Sequence, residues 1–584
     1  VNFTPDSAQQ QVIEANDPVL LVCGGAGTGK TTTAAAAVRF ALEQADRQNL
    51  ASAAAHPPRA RRPAPRALFL SFSRASVSQI IDRTTNILGP YQPRTEITTF
   101  HAFAWRLLRR WGNAIDMPEP RLLGEAEARL FTVDGTVRYR ELLPRALDLC
   151  MLPALGHHLQ SRWSLIVCDE FQDTDDRQFE LLMAIRGSAR LLLLADPNQC
   201  IYTNLPDAVG VGPQRLAAAL ALPGARQIDL LDVSHRDPTQ VLPAAAAAVR
   251  RREFDHDALA AALETGRLQV RAELPVDREV DEVAAVVRGL LDEGCSVGVF
   301  SHHIDSTTGL SDALSERDIN HEIVGLPECL GAAIDVQNAM VQFAGGSDDW
   351  ANVEERLAVF VTSSVRGKKA PDLALMLLGE KAAPAALTRR LETLRRDLLQ
   401  GGPAAAVEQI PGAHASLGLP RGASNWTRAA RLLRSLFTRC LRQGGGLKNG
   451  LMLLDKAAAD RRINLLTHVV GETTAPVQVM GLYQTKGREA DATIVVLRSS
   501  DYYGPERYEP FEDGSNLLYV ILSRARKKVI VLIFGEDLPP LIAPLGRLAS
   551  GRVEPQRRLR TGSRRVLPSG RPSNVTVSRR PISS

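Results

Sequence analysis

Short, unbroken apolar runs punctuate this chain, and each gives way abruptly to small and polar residues. Residues 19–23 (VLLVC), 68–70 (LFL), 165–168 (LIVC) and 191–194 (LLLL) are such runs. They are too short for helices and have no polar face, so they predict strands buried on both sides. After the first run the pattern turns helical, through Thr32-Thr33-Ala34-Ala35-Ala36-Ala37-Val38. Farther on, 385–400 (AALTRRLETLRRDLLQ) sets Leu387, Leu391, Leu394 and Leu398 on one stripe, with Arg389, Arg390, Arg395 and Arg396 off it. Residues 426–442 (WTRAARLLRSLFTRCLR) repeat the pattern with Arg428, Arg431, Arg434, Arg439 and Arg442, and both segments predict amphipathic helices. Gly/Pro-rich 401–423 and Gly444-Gly445-Gly446 predict flexible connections. No apolar run approaches the ~18 residues that would span a membrane.

The chemistry lies where the apolar runs end. The first leads into Gly24-Gly25-Ala26-Gly27-Thr28-Gly29-Lys30-Thr31, which fits the phosphate-loop pattern G-x-x-x-x-G-K-[ST]. Glycines let the backbone curl so that successive N–H groups face phosphate oxygens, and the following helix adds its positive end. In such a loop Lys30 reaches the β- and γ-phosphates and the Thr31 hydroxyl ligates Mg²⁺, so ATP and Mg²⁺ are the expected cofactors. Gly25 to Thr32 form the expected nucleotide cradle: Gly25, Ala26, Gly27, Thr28, Gly29, Lys30, Thr31 and Thr32. The run 165–168 ends in Asp169-Glu170. Acids at a strand's carboxyl end stand where open α/β sheets bind ligands. Asp169 is expected to hold Mg²⁺, and Glu170 to orient and deprotonate the attacking water. The run 191–194 ends in Ala195-Asp196-Pro197-Asn198-Gln199, where Gln199 is placed to touch the γ-phosphate.

The chain has 584 residues and a net charge of +5, too little by itself to argue for a polyanionic partner. Its distribution says more. Residues 550–584 carry nine arginines and one acid, and 57–66 (PPRARRPAPR) four arginines and none, which leaves −7 for everything else. Both segments are poor in apolar residues and cannot bury enough surface to fold alone. They are either electrostatic arms for nucleic acid or solvated surface. Seven scattered cysteines without a CxxC pair are expected to be free thiols in a reducing cytoplasm. The pairs His157-His158 and His302-His303 are expected in solvated loops. No signal peptide is expected.

The run DEFQDT (169–174), followed by ADPNQCIY (195–202), resembles motifs II and III of superfamily 1 helicases of the UvrD/Rep/PcrA family. Other stretches fall in the family's order. Phe3-Thr4-Pro5 with Gln9 resembles its Q motif, and 70–83 (LSFSRASVSQIIDR) its motif Ia. Thr99-Phe100-His101-Ala102-Phe103 resembles the next DNA-contacting motif, and Ser234-His235-Arg236-Asp237 stands where an Asn-Tyr-Arg-Ser run is usual. Residues 484–491 (QTKGREAD) resemble motif V and 516–525 (NLLYVILSRA) motif VI. The match extends from about residue 3 to 534.

The resemblance implies an α/β fold with two RecA-like P-loop NTPase domains, parallel sheets flanked by helices, and a mostly helical insertion in each. The expected division gives 1–101 and 161–222 to the first core, 102–160 to a short insertion, 223–345 and 473–549 to the second core, and 346–472 to the second insertion. A basic tail, 550–584, is expected to follow, and no nuclease domain is expected after the motif VI-like run. Gln9 is implied to read the adenine edge, Glu489 to contact the ribose, and Arg236 and Arg524 to meet the γ-phosphate from the second core. Phe72, Ser73, His101, Tyr202 and Lys486 are implied DNA contacts, although Phe72 also fits a core residue at a strand end. The implied activity is ATP-dependent, 3′-to-5′ movement on single-stranded DNA with unwinding at single-strand/duplex junctions. A protein partner on the tail or the second insertion is a further expectation. Some positions depart from the family. Thr203-Asn204-Leu205-Pro206 lacks the usual aromatic platform, Gly481 and Tyr483 replace Thr and His, and His235 replaces Tyr. These changes spare the phosphate chemistry and fall on strand grip. They keep a second reading open: an ATP-gated DNA-binding or partner-loading subunit that hydrolyses ATP without processive unwinding.

Overall fold

The computed structural model describes residues 3–549 except 56–63, 73, 132–134, 204–207, 303, 325–326, 366, 368, 468–474 and 502–510. The expected contact Ser73, most of the 57–66 segment and the 550–584 tail therefore lie outside the described residues.

Each predicted apolar run is a strand. With four strands that the apolar runs did not mark, the order along the chain is β1 (Val19–Cys23), β2 (Ala67–Ser71), β3 (Thr95–Thr99), β4 (Arg121–Leu123), β5 (Thr136–Arg138), β6 (Leu165–Asp169), β7 (Arg190–Ala195) and β8 (Ala225–Asp229). Six of them form one parallel sheet in the order β3-β2-β6-β7-β1-β8. Its register sets Cys23 level with Ala195 and Ser71 level with Asp169, so the polar segments after these strands emerge on one edge. Apolar side chains cover both faces. Val38, Leu42 and Ile80 pack on one, and Phe103, Trp105, Leu142 and Leu182 on the other. This two-sided burial is why the strands read as unbroken apolar runs. Between β3 and β6 the chain makes the helices Phe100–Trp111, Leu142–Met151 and Pro153–Gln160, with β4 and β5 paired beside them.

A second parallel sheet contains β9 (Leu268–Leu274), β10 (Val297–Ser301), β11 (His321–Ile323), β12 (Val477–Gly481), β13 (Ala490–Arg498) and β14 (Ala525–Phe534). Its order is β11-β12-β10-β13-β14-β9. Between β11 and β12 stands a helical body with its own core, from Pro327–Ala344 to Leu447–Thr467. Fully buried Trp426 anchors it and donates its Nε1–H to Ile410 O at 2.7 Å. No helix among the described residues is long and apolar enough to cross a membrane.

The structure corrects several expectations. The first sheet runs past residue 222, because β8 pairs with β1. The helical body begins at Pro327 instead of 346, because Met340 and its neighbours join that core. The stretch 401–423 is mostly helix. Ala385–Leu417 kinks at Gly402, whose φ is +66°, and resumes through Ala406, Val407, Ile410, Ala413 and Leu417, all buried. Helical spacing of these apolar residues outweighs the Gly/Pro content, and Pro403 opens the second segment where its missing N–H is harmless. His157 and His158 are exposed on a helix, and His302 is buried. All seven cysteines are buried and free.

Candidate active site

The phosphate loop joins β1 to the helix Lys30–Ala55. Gly27 and Gly29 have φ values of +84° and +86°, a region that side chains resist. The loop is held from several sides. Thr28 Oγ1 donates to Gly25 O at 3.0 Å, and Lys30 Nζ donates to the carbonyls of Gly24 and Gly25 at 2.6 and 3.0 Å. Buried Gln9 braces it from beneath, donating to Thr28 O at 3.2 Å while its Oε1 accepts the Asp6 N–H. His235 N donates to Gly27 O at 2.8 Å, and Ala26 N donates to the Tyr519 hydroxyl at 3.3 Å. The loop is thus touched both by the segment after β8 and by the helix Glu512–Leu522, which packs on the second sheet.

The acids stand level with it. Asp169 ends β6, and Glu170 follows in the left-handed region with φ +53°. Burial and the neighbouring Glu170 charge push Asp169 up to about 7. Burial alone would also raise Glu170, but Lys486 and Lys30 outweigh it and hold it below the usual glutamate value. Glu170 accepts from Gln172 Nε2 at 2.7 Å, and Gln172 Oε1 accepts from Asp196 N at 3.1 Å. Asp196 Oδ2 accepts from Gln199 Nε2 at 2.7 Å, and Gln199 Oε1 accepts from Arg524 Nη2 at 3.1 Å. This unbroken chain of polar contacts runs from one sheet to the other.

Lys486, after β12, adds a second crossing. Its ammonium pairs with Asp173, lies 3.7 Å from Glu170, and donates to Gln199 O at 2.8 Å. Burial would lower its pKa, but Asp173 and Glu170 hold it above the usual lysine value. Arg236 Nη2 pairs with Glu489 at 2.5 Å, and its Nη1 donates to Ser523 O at 2.5 Å. Arg83, on the helix Arg74–Leu88, pairs with the same Glu489 at 2.5 Å. The groups enclose a cavity of about 400 Å³ lined by Ala26–Thr32, Asp169, Glu170, Gln199, Arg236, Glu489 and Arg524.

A family model described as an AAA domain matches residues 8–204. A 72-residue stretch, 12% of this chain, is 39% identical to RecBCD enzyme subunit RecB of Mycolicibacterium smegmatis. A 141-residue stretch, 24% of this chain, is 25% identical to ATP-dependent DNA helicase PcrA of Bacillus subtilis. The chain is similar to the UvrD/PcrA-like helicases of superfamily 1. The matched stretches span only 7% and 17% of those two relatives.

Of the expected nucleotide residues, Ala26–Thr32, Arg236, Glu489 and Arg524 line the cavity, whereas Gln9 is buried under the loop and Gly25 is not in the lining; the described DNA contacts do not share one surface. Lys486 is only 5% exposed and belongs to the cavity's charge network. Tyr202 is buried; its hydroxyl donates to Tyr483 O at 2.7 Å, and Phe72 covers its ring at 5.1 Å. Tyr202 thus packs between partly buried Phe72 and the second sheet's core, and its own ring is not an open platform for a base. His101 stacks on Tyr139 at 4.2 Å between centroids, and burial pushes its pKa down to about 4. Sequence reasoning missed Arg83, Gln172, Asp173 and Asp196 as parts of the network. Each lies inside a quoted motif, but a motif does not reveal which of its polar residues turn inward.

Proposed function

We propose that the chain is an ATP-dependent DNA translocase and helicase of the UvrD-like type, built on two RecA-like domains whose bounds follow the two sheets, with the helical body from Pro327 inserted in the second, and acting in the cytoplasm. The observation that carries this reading is the polar chain from Glu170 through Gln199 to Arg524, which ties the carboxyl edge of the first sheet to the second. The donor set suits a nucleoside triphosphate: a curled glycine loop, a lysine held by backbone carbonyls, and four arginines, Arg83, Arg236, Arg524 and Arg526, at one cavity. Thr31 and Asp169 would hold Mg²⁺. Bound MgATP supplies a phosphoryl group for transfer to water. Glu170, kept ionised by Lys486 and Lys30, accepts the water's proton at its carboxylate. Lys30, Arg236 and Arg524 offset negative charge, and Gln199 links their engagement to Lys486. Because the cations come from both sheets, occupancy of the cavity is coupled to how the sheets sit against each other, and this coupling would drive movement along the 3′-to-5′ strand.

ATP hydrolysis with and without single-stranded DNA tests the site. Lys30→Ala or Glu170→Gln should abolish the DNA-stimulated turnover, and undiminished turnover in either would defeat the assignment. The packing of buried Tyr202 against partly buried Phe72 favours the second reading, an ATP-gated DNA-binding or partner-loading subunit. Displacement of a 3′-tailed duplex alone supports the helicase. Turnover without displacement supports the subunit.

A further inference from the structure

The amino-terminal edge of the first sheet, opposite the cavity, carries charge that the nucleotide chemistry does not use. Arg66 immediately precedes β2, Glu96 is in β3, and Arg162 precedes β6, and these three strands are neighbours. The helix Phe100–Trp111 starts at the carboxyl end of β3 and returns to the same edge, where Arg106 joins Arg162 in pairing with Glu96. Two guanidiniums, Arg106 and Arg162, thus share one carboxylate, and the like charges of Arg66 and Arg110 also act on Arg162. Burial, with the three like charges, holds Arg162 below the usual arginine value. Arg66 Nε is buried without a hydrogen-bond partner. By contrast, the adjacent Arg94 has Asp46 to itself at 2.7 Å.

The aromatic residues here orient cations. Arg110 lies over Trp111 at 4.8 Å and Arg162 over Trp163 at 4.6 Å. With those ring faces taken, the surface offers phosphate contacts in place of base stacking. Arg109 and Arg110 are exposed beside it. Crowded guanidiniums repel unless an anion joins them, and their planar forks match phosphate oxygens. We infer that this edge is a second nucleic-acid site, which takes the phosphate backbone of duplex DNA independently of sequence.

The test uses the full chain without nucleotide, a labelled duplex of about 20 bp, and anisotropy from 50 to 200 mM salt, over which phosphate contacts dominate the salt dependence. Arg109→Glu with Arg110→Glu should weaken binding about tenfold at the lowest salt. It should also flatten the log–log salt slope by about two, one per lost contact. The same charge change at exposed Arg251 and Arg278, on the second sheet's side, should leave both unchanged. Unaltered affinity and slope in the first pair would overturn the site. So would equal loss in the control pair, or a loss seen with single-stranded DNA and not with duplex. Because no nucleotide is present, a failed Lys30→Ala test would sink the ATPase reading and leave this one standing.

Discussion

Gly27 shows how little freedom the phosphate loop has. Its φ is +84°, and a methyl group there would stand 2.3 Å from Ser234 Oγ. Gly27→Ala therefore combines left-handed strain of about 1–2 kcal/mol with displacement of the segment that carries Arg236. ATPase kcat/KM is expected to fall at least roughly tenfold, the equivalent of 1.4 kcal/mol, and retained activity would show that the segment has slack. Lys486 makes a different residue-scale case. Its conversion to methionine leaves Asp173 buried without its cation, a loss of about 3–5 kcal/mol. Urea unfolding should show that loss, and adding Asp173→Asn should restore most of it. A double variant no more stable than the single would rule out the pair as the cause. From sequence, Lys486 reads as a surface cation for DNA, because nothing in QTKG marks a lysine that a carboxylate from another sheet takes inside.

At the scale of elements, the strands buried on both faces and the two amphipathic helices were legible, and the edge strands and the course of 401–423 were not. Burial on both faces writes a parallel strand into the sequence as an unbroken apolar run, so β1, β6 and β7 stand out. Gly401-Gly402-Pro403 looks like a break, yet it kinks a helix whose buried stripe continues. That continuation depends on Trp426, from the next helix, which reaches Ile410 O. Trp426→Ala should destabilise the helical body by about 3–5 kcal/mol, measured by thermal unfolding, whereas a loss under 1 kcal/mol would mean the site collapses around the gap. His101 links the helix Phe100–Trp111 to the turn Tyr139–Glu141. Its folded pKa of about 4 lies below the ordinary 6.5, so the folded chain binds fewer protons than the unfolded chain between those values. Stability from the neutral ring is present above pH 6.5 and is lost as pH falls toward 4. Against His101→Phe, the wild type should lose about 1–3 kcal/mol over that window; the partly solvated ring places the loss below the full shift. Parallel pH profiles would refute the assignment.

Across the whole molecule, the charge outside the two basic segments is −7, so any hold on a polyanion must come from local clusters instead of bulk charge. The same holds for the contact between the sheets, where single carboxylates serve several cations. Glu489, at the start of β13, takes Arg236 from the segment after β8 and Arg83 from a helix on the first sheet. Burial would raise its pKa, but these arginines outweigh burial and hold it at about 2, against an ordinary 4.5. The sign follows directly. The contribution is fully present above about pH 4.5 and disappears as pH falls through 2. Glu489→Gln should therefore cost about 2–3 kcal/mol at pH 7. The gap between variant and wild type should close on acidification from pH 5 to 2, followed by chemical denaturation at each pH. A gap that stays constant would show that Glu489 acts through packing and not charge. The variant also exposes the two arginines to the cavity without their carboxylate, so inorganic pyrophosphate should bind it more tightly than the wild type, a result that packing alone would not produce.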